Sequence, residues 1–581
     1  MEHVLQSTAP DLLPPLMFTG VDSDVSADDL VTITQKESWR LKKEGGYWKD
    51  QYRRVCEREA ELKKELEQKE ALIRDFKHRL FGKKSEAGRV RLASAQPVLG
   101  PKLPRGQQRG SPGHGRIKRP DLPVIEEYLE LSGESCCCSQ CGLPYAPFPG
   151  DEESDIVEIQ VSAYRRRVCR KRYRKACSCP SVANNPVIIV APAAPRVIPR
   201  SPYGVSVWVH ILLGKFLYAQ PLHRILCELD GLGLHLVPGT MTGGFKNILA
   251  LFLPLQKALY DRQMRETWFH NDETHWGVYV YVEGDGDGQR GQRWYLWVTR
   301  SPEIIYYQMA PTRSAAVPLA HFSGLEATEV IVVCDRYSAY KKAARLNTAI
   351  ILAFCWAHVR RDFLKVACSL PSLQMWAFEW VREIGTLYHL NHQRLSHWQK
   401  TLPLAQQNGL FHQEQARLEH QLVQMKESCE LFLQEDCAAA GSSPSKRNRR
   451  RPGELREAKR QVLTSLAQHW PGLTVFVDHP EVAMDNNPAE RAIRNPVTGR
   501  KNYYGSGSIW SAQLAAVMFS LFQTIELSQL NVRHWLQEYL TACANQGGHA
   551  PADLTPFLPW HMSEEQRRKL AKPLPIDLNT S

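Results

Sequence analysis

Three carboxylates invite a chemical reading because of where they fall. Asp272 closes the short apolar run at the start of "TWFHNDETHWGVYVYVEG". Asp335 closes "TEVIVVCD", a continuous β-branched run of the kind that a buried central strand carries. Glu490 lies in "DNNPAERAIRNPVTGRKNYYGSGS" among arginines. Taken singly, each has a plain explanation. An aspartate at a strand end is commonly a turn former. Glu490 reads locally as part of a helix start, with Asn487 as N-cap, Pro488 at N1 and Glu490 at N3, where it closes a capping box. Gathered together, the three do something else. At about 5 Å and an effective dielectric of about 20, each pair of carboxylates repels by roughly 3 kcal/mol. Divalent cations relieve that repulsion, and Mg²⁺ (or Mn²⁺) suits a few carboxylates completed by phosphate oxygens. Two such ions activate the attacking oxygen and stabilise the leaving oxygen of a phosphodiester. Asp272, Asp335 and Glu490 are therefore the candidate catalytic and metal-binding residues. Arg494 stands one turn beyond Glu490 on the same helix face. With Arg491, and with Arg500 and Lys501 in the loop expected to follow, it is a candidate for holding the phosphodiester strand that the metals cut.

The elements that must position these acids follow from the apolar pattern. After Asp272 the chain alternates through Trp276, Val278, Val280 and Val282, then enters the turn-rich "EGDGDGQRGQR". "RWYLWVTR" and "EIIYYQMA" read as two further strands, and "TEVIVVCDRYSAYKKA" as a strand passing into a helix. Three antiparallel strands, then one ending in Asp, then a helix bearing an acid, is the ribonuclease-H-like order. Residues 263–363 are expected as its first part and residues 481–530 as its second, carrying the Glu490 helix. Between them, residues 364–480 are Leu/Gln/Glu-rich, contain "SPSKRNRRRPG" and read as a helical insertion with a basic loop.

The amino-terminal parts differ from one another. Residues 1–40 read as a loose tail. In residues 41–86, Trp48, Tyr52, Val55, Glu59, Leu62, Leu66, Lys69, Ile73, Phe76 and Leu80 are spaced alternately by four and three, and all but Glu59 and Lys69 are apolar. That is a coiled-coil seam and implies self-association; the alternative is one amphipathic helix packed on its own protein. Residues 87–125 form a basic Gly/Pro-rich linker. Residues 126–182 hold Cys138 and Cys141, a C-x-x-C pair followed by Gly142, and Cys177 and Cys179, a C-x-C pair. Four thiolates close a tetrahedral structural zinc site, the alternative being reduced cysteines without metal. Residues 183–262 read as helical, with "GLHLVPGTMT" as the turn of a candidate helix-turn-helix or of a plain packing unit. Residues 531–581 are expected as a C-terminal tail. The fold class is thus multidomain α and α/β.

Composition narrows the partners. The 581 residues carry a formal net charge of +12, which favours nucleic acid. The start "MEHVLQSTAPDLLPPL" lacks the pattern of a signal peptide, and apolar stretches such as "ILALFLPLQKAL" are too short and interrupted to span a membrane. Fifteen cysteines in such a chain read as thiols or metal ligands rather than disulfides.

"HNDETHWGV", "VVCDRYSAY", "CWAHVRRDF" and the block around Glu490 resemble the DDE transposases of the insertion-sequence sixty-six family, large (transposase C type) proteins. The order of "RLFGKKSE", "GHGRIKRPDLP" and "CSQCG…CSC" agrees, so the resemblance runs over nearly the whole chain after residue 45. It implies that Asp272, Asp335 and Glu490 are the catalytic triad, and that the zinc module and helical region help to bind DNA. It further implies metal-dependent cleavage at element ends, strand transfer to target DNA, a homo-oligomer, accessory proteins of the same element, and a cytoplasmic, nucleoid-associated bacterial location. A catalytically silent DNA-binding derivative, or a nuclease on the same fold, are the rival readings. Glu273 and Asp485 compete with the proposed acids for the same assignments. His358, in "CWAHVRRDF", has no chemical role in this reading and is taken as a buried structural histidine.

Overall fold

A computed structural model describes residues 45–63, 161–177, 187–281, 289–441 and 454–572, with isolated positions among residues 34–40 and 140–179. Two compact units divide the chain, Met1–Ser94 and Ala95–Ser581. In the first, residues 45–63 form helix α1, on which Trp48, Tyr52, Val55 and Leu62 are exposed and Glu59 pairs with Lys63 at 2.8 Å. The heptad positions from Leu66 to Leu80 lie outside the described residues.

In the second unit the first described element is a two-stranded ribbon, β1 (Arg172–Arg174) against β2 (Ile188–Val190). Helix α2 (Val205–Leu212) runs into a π-helical turn (Leu213–Leu217), and α3 (Leu222–Gly231) and α4 (Pro238–Gln263) follow. Then come β3 (Trp268–Tyr281), β4 (Gln289–Arg300), β5 (Ile305–Ala310), α5 (Ala316–His321), β6 (Val330–Cys334), α6 (Ser338–Leu346), β7 (Ile350–Phe354) and α7 (Trp356–Ser369). Three long helices follow: α8 (Gln374–Ser396), α9 (Gly409–Gly441) and α10 (Glu454–Asp478). The chain returns through α11 (Asn487–Tyr503), α12 (Ile509–Leu527), α13 (Val532–Asn545) and α14 (Glu564–Ala571). Among the described residues, no helix is long and apolar enough to cross a membrane.

The five strands form one mixed sheet in the order β5-β4-β3-β6-β7, antiparallel from β5 to β3 and parallel from β3 to β7. Alternation along the strands sends side chains to two cores. Trp276, Val278, Leu296, Val298 and Tyr307 join α2, α4, α12 and α13 on one face. Phe269, Trp297, Val332 and Cys334 join α6, α7 and α10 on the other. All five residues of β6, VIVVC, are buried, as its unbroken apolar run requires. Two of these helices are tied together by Arg394, wholly buried on α8, whose guanidinium donates to Phe476 O (2.9 Å) and Val477 O (2.8 Å) at the end of α10. Those carbonyls end a helix and have no partner within it. Residues 531–581, expected as a tail, instead carry α13, whose Trp535, Leu536, Tyr539 and Leu540 are buried against the first core. The helical period of "VRHWLQEYLTACAN" carried that signal.

Candidate functional site

β3 pairs with β6 through Trp268↔Ile331, Phe269↔Val332 and His270↔Val333. Asp272 lies two residues past the last of these pairs on β3, and Asp335 lies two residues past it on the other side, directly after the end of β6. Asp272 does not end its strand, as the apolar run suggested. β4 pairs with β3 from His270↔Arg300 to Tyr281↔Gln289, so the strand continues where β6 leaves it. Asp335 follows the last residue of β6, and its Oδ1 accepts from Tyr337 N–H (3.0 Å) in the turn that opens α6. Asp272 Oδ1 accepts from Glu273 N–H (2.8 Å). Burial pushes the Asp272 carboxyl up to about 8; neighbouring Glu273, Asp335 and Glu490 push the same way, against the Glu273 N–H.

Glu490 arrives on α11. The N-cap is Asn486, not Asn487, and no side chain caps this helix, so there is no capping box. The reason is that Asn486 is engaged elsewhere, as set out below. The Glu490 carboxylate, freed of that duty, faces α7: Oε1 lies 3.9 Å from His358 Nε2 and 3.7 Å from Arg361 Nη2. His358 is half-buried, with Nδ1 fully buried and unpartnered. Its pKa is lowered by burial and by Arg361, with Glu490 and Asp335 pulling the other way. The histidine without an assigned role thus stands among the acids.

Both ends of α11 are fastened to β3. At the N-terminal end, Asn486 Nδ2 donates to Asn271 O (2.7 Å), which leaves Oδ1 as the acceptor from His270 Nδ1 (3.1 Å). His270 is buried and pushed down to about 4, chiefly by burial, so it is neutral at pH 7 with its proton on Nδ1. Asn486 N–H also donates to Cys355 Sγ (3.2 Å). At the other end, Arg500 donates to Thr274 Oγ1 (2.8 Å) and to His275 O, and Ser506 N–H donates to Gly277 O (2.9 Å). Between the two, buried Ala489, Ala492 and Ile493 let the helix lie close to the sheet. Asn486→Ala would strand the His270 N–H and the Asn271 carbonyl, and an expected loss of about 1–3 kcal/mol is measurable by urea unfolding. His270→Asn keeps a donor near the Nδ1 position and is expected to cost less than His270→Ala; equal costs would mean that this hydrogen bond contributes nothing.

The sequence profile described as the Transposase IS66 family matches residues 200–514, more than half of the chain, from just before α2 into α12. The chain belongs to this transposase family. Two proteins of Sinorhizobium fredii (strain NBRC 101917 / NGR234) are similar along most of it. The uncharacterized protein y4jD is 25% identical over 485 residues, covering 80% of this chain and 84% of that protein. The uncharacterized protein y4hP is 24% identical over 455 residues, covering 76% of each. The family match spans the sheet, α8 to α10 and α11, and therefore all three acids.

Within this transposase-family framework the other expected residues are placed as follows. Arg491, Arg494 and Lys501 are exposed on α11, whereas Arg500 is held against β3. Arg500 and Lys501 lie in the last turn of the helix and not in a loop, because α11 runs on to Tyr503 and is capped by Tyr504, a left-handed residue (φ 65°). The two competing acids have other partners. Glu273, its carboxylate almost wholly buried, is held by Arg313 Nε (2.8 Å) and by the Tyr340 hydroxyl. Asp485 Oδ1 accepts from Asn487 N–H (2.9 Å). Cys138 lies outside the described residues; Cys141, Cys177 and Cys179 are exposed, and hydrogen bonds from Cys179, backbone first, lower the Cys177 pKa. Among the described residues, no three His, Cys, Asp or Glu side chains stand ready as a metal cage.

Proposed function

We propose that this transposase-family protein is a metal-dependent DNA transposase with Asp272, Asp335 and Glu490 as its catalytic carboxylates, on a ribonuclease-H-like core interrupted by the helices of residues 364–480. The observation that carries the reading is the β3–β6 register, whose last pair lies two residues before both Asp272 and Asp335, with the Glu490 helix fastened to β3 at both ends. The order β5-β4-β3-β6-β7, three strands antiparallel and two added in parallel, supports the core assignment.

The donor set fits Mg²⁺ or Mn²⁺ in its chemistry: hard carboxylate oxygens, one of them driven by burial and like charge to hold its proton. Phosphate oxygens of DNA would complete the coordination that a few carboxylates leave open. Bound there, divalent cations would activate the attacking oxygen and stabilise the leaving one. The chain's own part is positional and electrostatic. Asn486 and the Gly277–Ser506 bridge hold α11 on β3, Arg361 offsets the charge of Glu490, and Arg491, Arg494 and Lys501 offer exposed cations to the phosphates. The same reading assigns Cys138, Cys141, Cys177 and Cys179 to a structural zinc ion and the exposed apolar stripe of α1 to self-association.

The test is incubation of the purified protein with element ends, Mg²⁺ and a target plasmid, with nicking and strand joining scored separately. Both are expected. Nicking without joining would mean a nuclease, and end binding without either would mean a catalytically silent DNA-binding protein.

A further inference from the structure

The block around Glu490 ends in "YYGSGS", a run that the carboxylate site does not use. It joins α11 to α12 and forms one wall of a cavity of about 320 Å³. The π-helical turn Leu213–Leu217 forms a second wall, and α4 and α12 contribute the others. Such turns are rare and are found mostly at functional sites. This one is held by α11: Asn495 Nδ2 donates to Phe216 O (3.3 Å) and Leu217 O (3.1 Å), and Asn502 Nδ2 donates to Ala219 O (2.8 Å). The turn brings Lys215 Nζ over the ring of Tyr503, 3.8 Å from its centroid.

Among the described residues, Lys215 is the one charged side chain that lines the cavity. Burial pushes its ammonium down to about 8, with no carboxylate near enough to hold it up. The face of the Tyr503 ring attracts the cation but brings no net negative charge. Other polar groups of the lining are committed. Ser506 Oγ accepts from Trp276 Nε1 (3.0 Å), Ser508 and Ser511 cap α12 reciprocally, and Thr242 Oγ1 donates to Pro238 O (3.1 Å). The Trp510 N–H, in the first turn of α12, has no acceptor within the helix. The rest of the lining is mainly apolar, with Phe216, Phe245, Trp510 and Leu514. A desolvated cation without a counter-charge is unfavourable, and an anion beside it removes that penalty. The volume far exceeds what a water molecule needs and falls at the lower end of small-molecule sites, roughly 300–1,000 Å³. An anion that carries a flat ring satisfies both the ammonium and the aromatic walls.

We propose that this cavity binds a small free phosphate ester with an attached ring, of the nucleoside monophosphate kind. Its phosphate lies between Lys215 and the start of α12, and its ring lies against Phe216, Phe245 and Trp510. The site is separate from the carboxylates. Tyr503 stands thirteen residues beyond Glu490 on α11, about 20 Å along the helix axis. Ser506 lines the cavity and also bridges to Gly277 O (2.9 Å), so the occupant steadies the end of α11. The inference does not depend on the assignment of the three acids.

Titration calorimetry of the full-length protein with adenosine 5′-monophosphate, inorganic phosphate and adenosine tests it. The monophosphate is expected to bind more tightly than either of its parts. Lys215→Met keeps the stem and removes the charge. It is expected to weaken the monophosphate roughly tenfold to a hundredfold, as loss of a hydrogen bond to a charged group does. Trp510→Leu is expected to weaken the monophosphate and spare inorganic phosphate. Lys246→Met, which removes an exposed charge of α4 outside the cavity, is the control and is expected to change nothing. No binding of the monophosphate, or equal weakening by Lys215→Met and Lys246→Met, overturns the site. Should Lys215→Met fold poorly, hydrogen exchange of the unaltered protein with and without the monophosphate decides. Slowed exchange within residues 213–217 and 503–511 supports the site, and slowed exchange only elsewhere overturns it. Competition separates a free ligand from a nucleotide within a strand. The monophosphate is expected to stay bound when a single-stranded oligonucleotide saturates the protein, and its displacement would overturn a site for the free ester.

Discussion

Glu490→Gln is expected to abolish Mg²⁺-dependent cleavage of element ends while the protein stays folded and bound to them. The substitution keeps shape and removes only charge. Because no side chain caps α11, no capping interaction is lost. The partly exposed contact with Arg361, at 3.7 Å, contributes at most about 1 kcal/mol. A metal-held transition state is worth several kcal/mol, so the rate should fall by about a thousandfold or more. Asp272→Asn and Asp335→Asn should do the same, and Asp272→Asn should also reveal its cause. Burial holds the native Asp272 protonated up to a pH of about 8, whereas an unfolded aspartate releases its proton near pH 3.9. Between those values the native state binds the extra proton, so the stability of metal-free protein falls as pH rises. Asp272→Asn should flatten that decline, and Mg²⁺ should reduce it in the parent protein alone. Urea midpoints at acid and mildly alkaline pH, with and without Mg²⁺, measure both effects. Asp485→Asn is the control, since Asp485 serves the Asn487 N–H, and it should keep at least part of the activity. An active Glu490→Gln beside a dead Asp485→Asn would mean that the third acid was misassigned.

The parts of this arrangement written in local pattern were legible in the sequence, and the parts made by distant contacts were not. The unbroken apolar run of β6 announces a buried strand and puts Asp335 just past its end. The alternation from Trp276 onward announces β3. What alternation cannot show is that β4 pairs with β3 on both sides of Asp272, which keeps that residue inside the strand. The start of α11 was misjudged for a similar reason. Local chemistry favours Asn487 as cap, but Asn486 makes its decisive hydrogen bond to His270, 216 residues earlier in the chain. Arg500 likewise looks available in a basic run, yet it reaches Thr274 across 226 residues. His358 and Arg361 carry no periodic signal at all; only the packing of α7 beside α11 brings them to Glu490.

Gly505→Ala is expected to produce the largest loss of stability of any single methyl addition near the site. Gly505 has φ of 133°, which side-chain-bearing residues rarely adopt, and an added Cβ would stand 2.2 Å from Gly277 O. That oxygen belongs to the backbone of β3 and cannot rotate away as a side-chain tip could. Relief would require separating the two segments, which would break the hydrogen bonds from Ser506 N–H to Gly277 O (2.9 Å) and from Tyr279 N–H to Ser506 O (3.0 Å). Backbone strain of about 1–3 kcal/mol and a loss of about 1 kcal/mol for each of the two broken bonds together give roughly 3–5 kcal/mol. Gly507 is the internal comparison, because a Cβ there would meet nothing within 4 Å; Gly507→Ala should be near neutral. Urea unfolding of the two variants side by side makes the measurement, and similar midpoints would mean that α11 is not docked through Gly277. The functional consequence follows from the geometry. With the C-terminal fastening undone, α11 would be held to β3 mainly by Asn486 and Arg500, and the Glu490 carboxylate would lose a fixed distance to Asp272. Gly505→Ala should therefore lower cleavage even at temperatures where the protein remains folded, whereas Gly507→Ala should leave it unchanged.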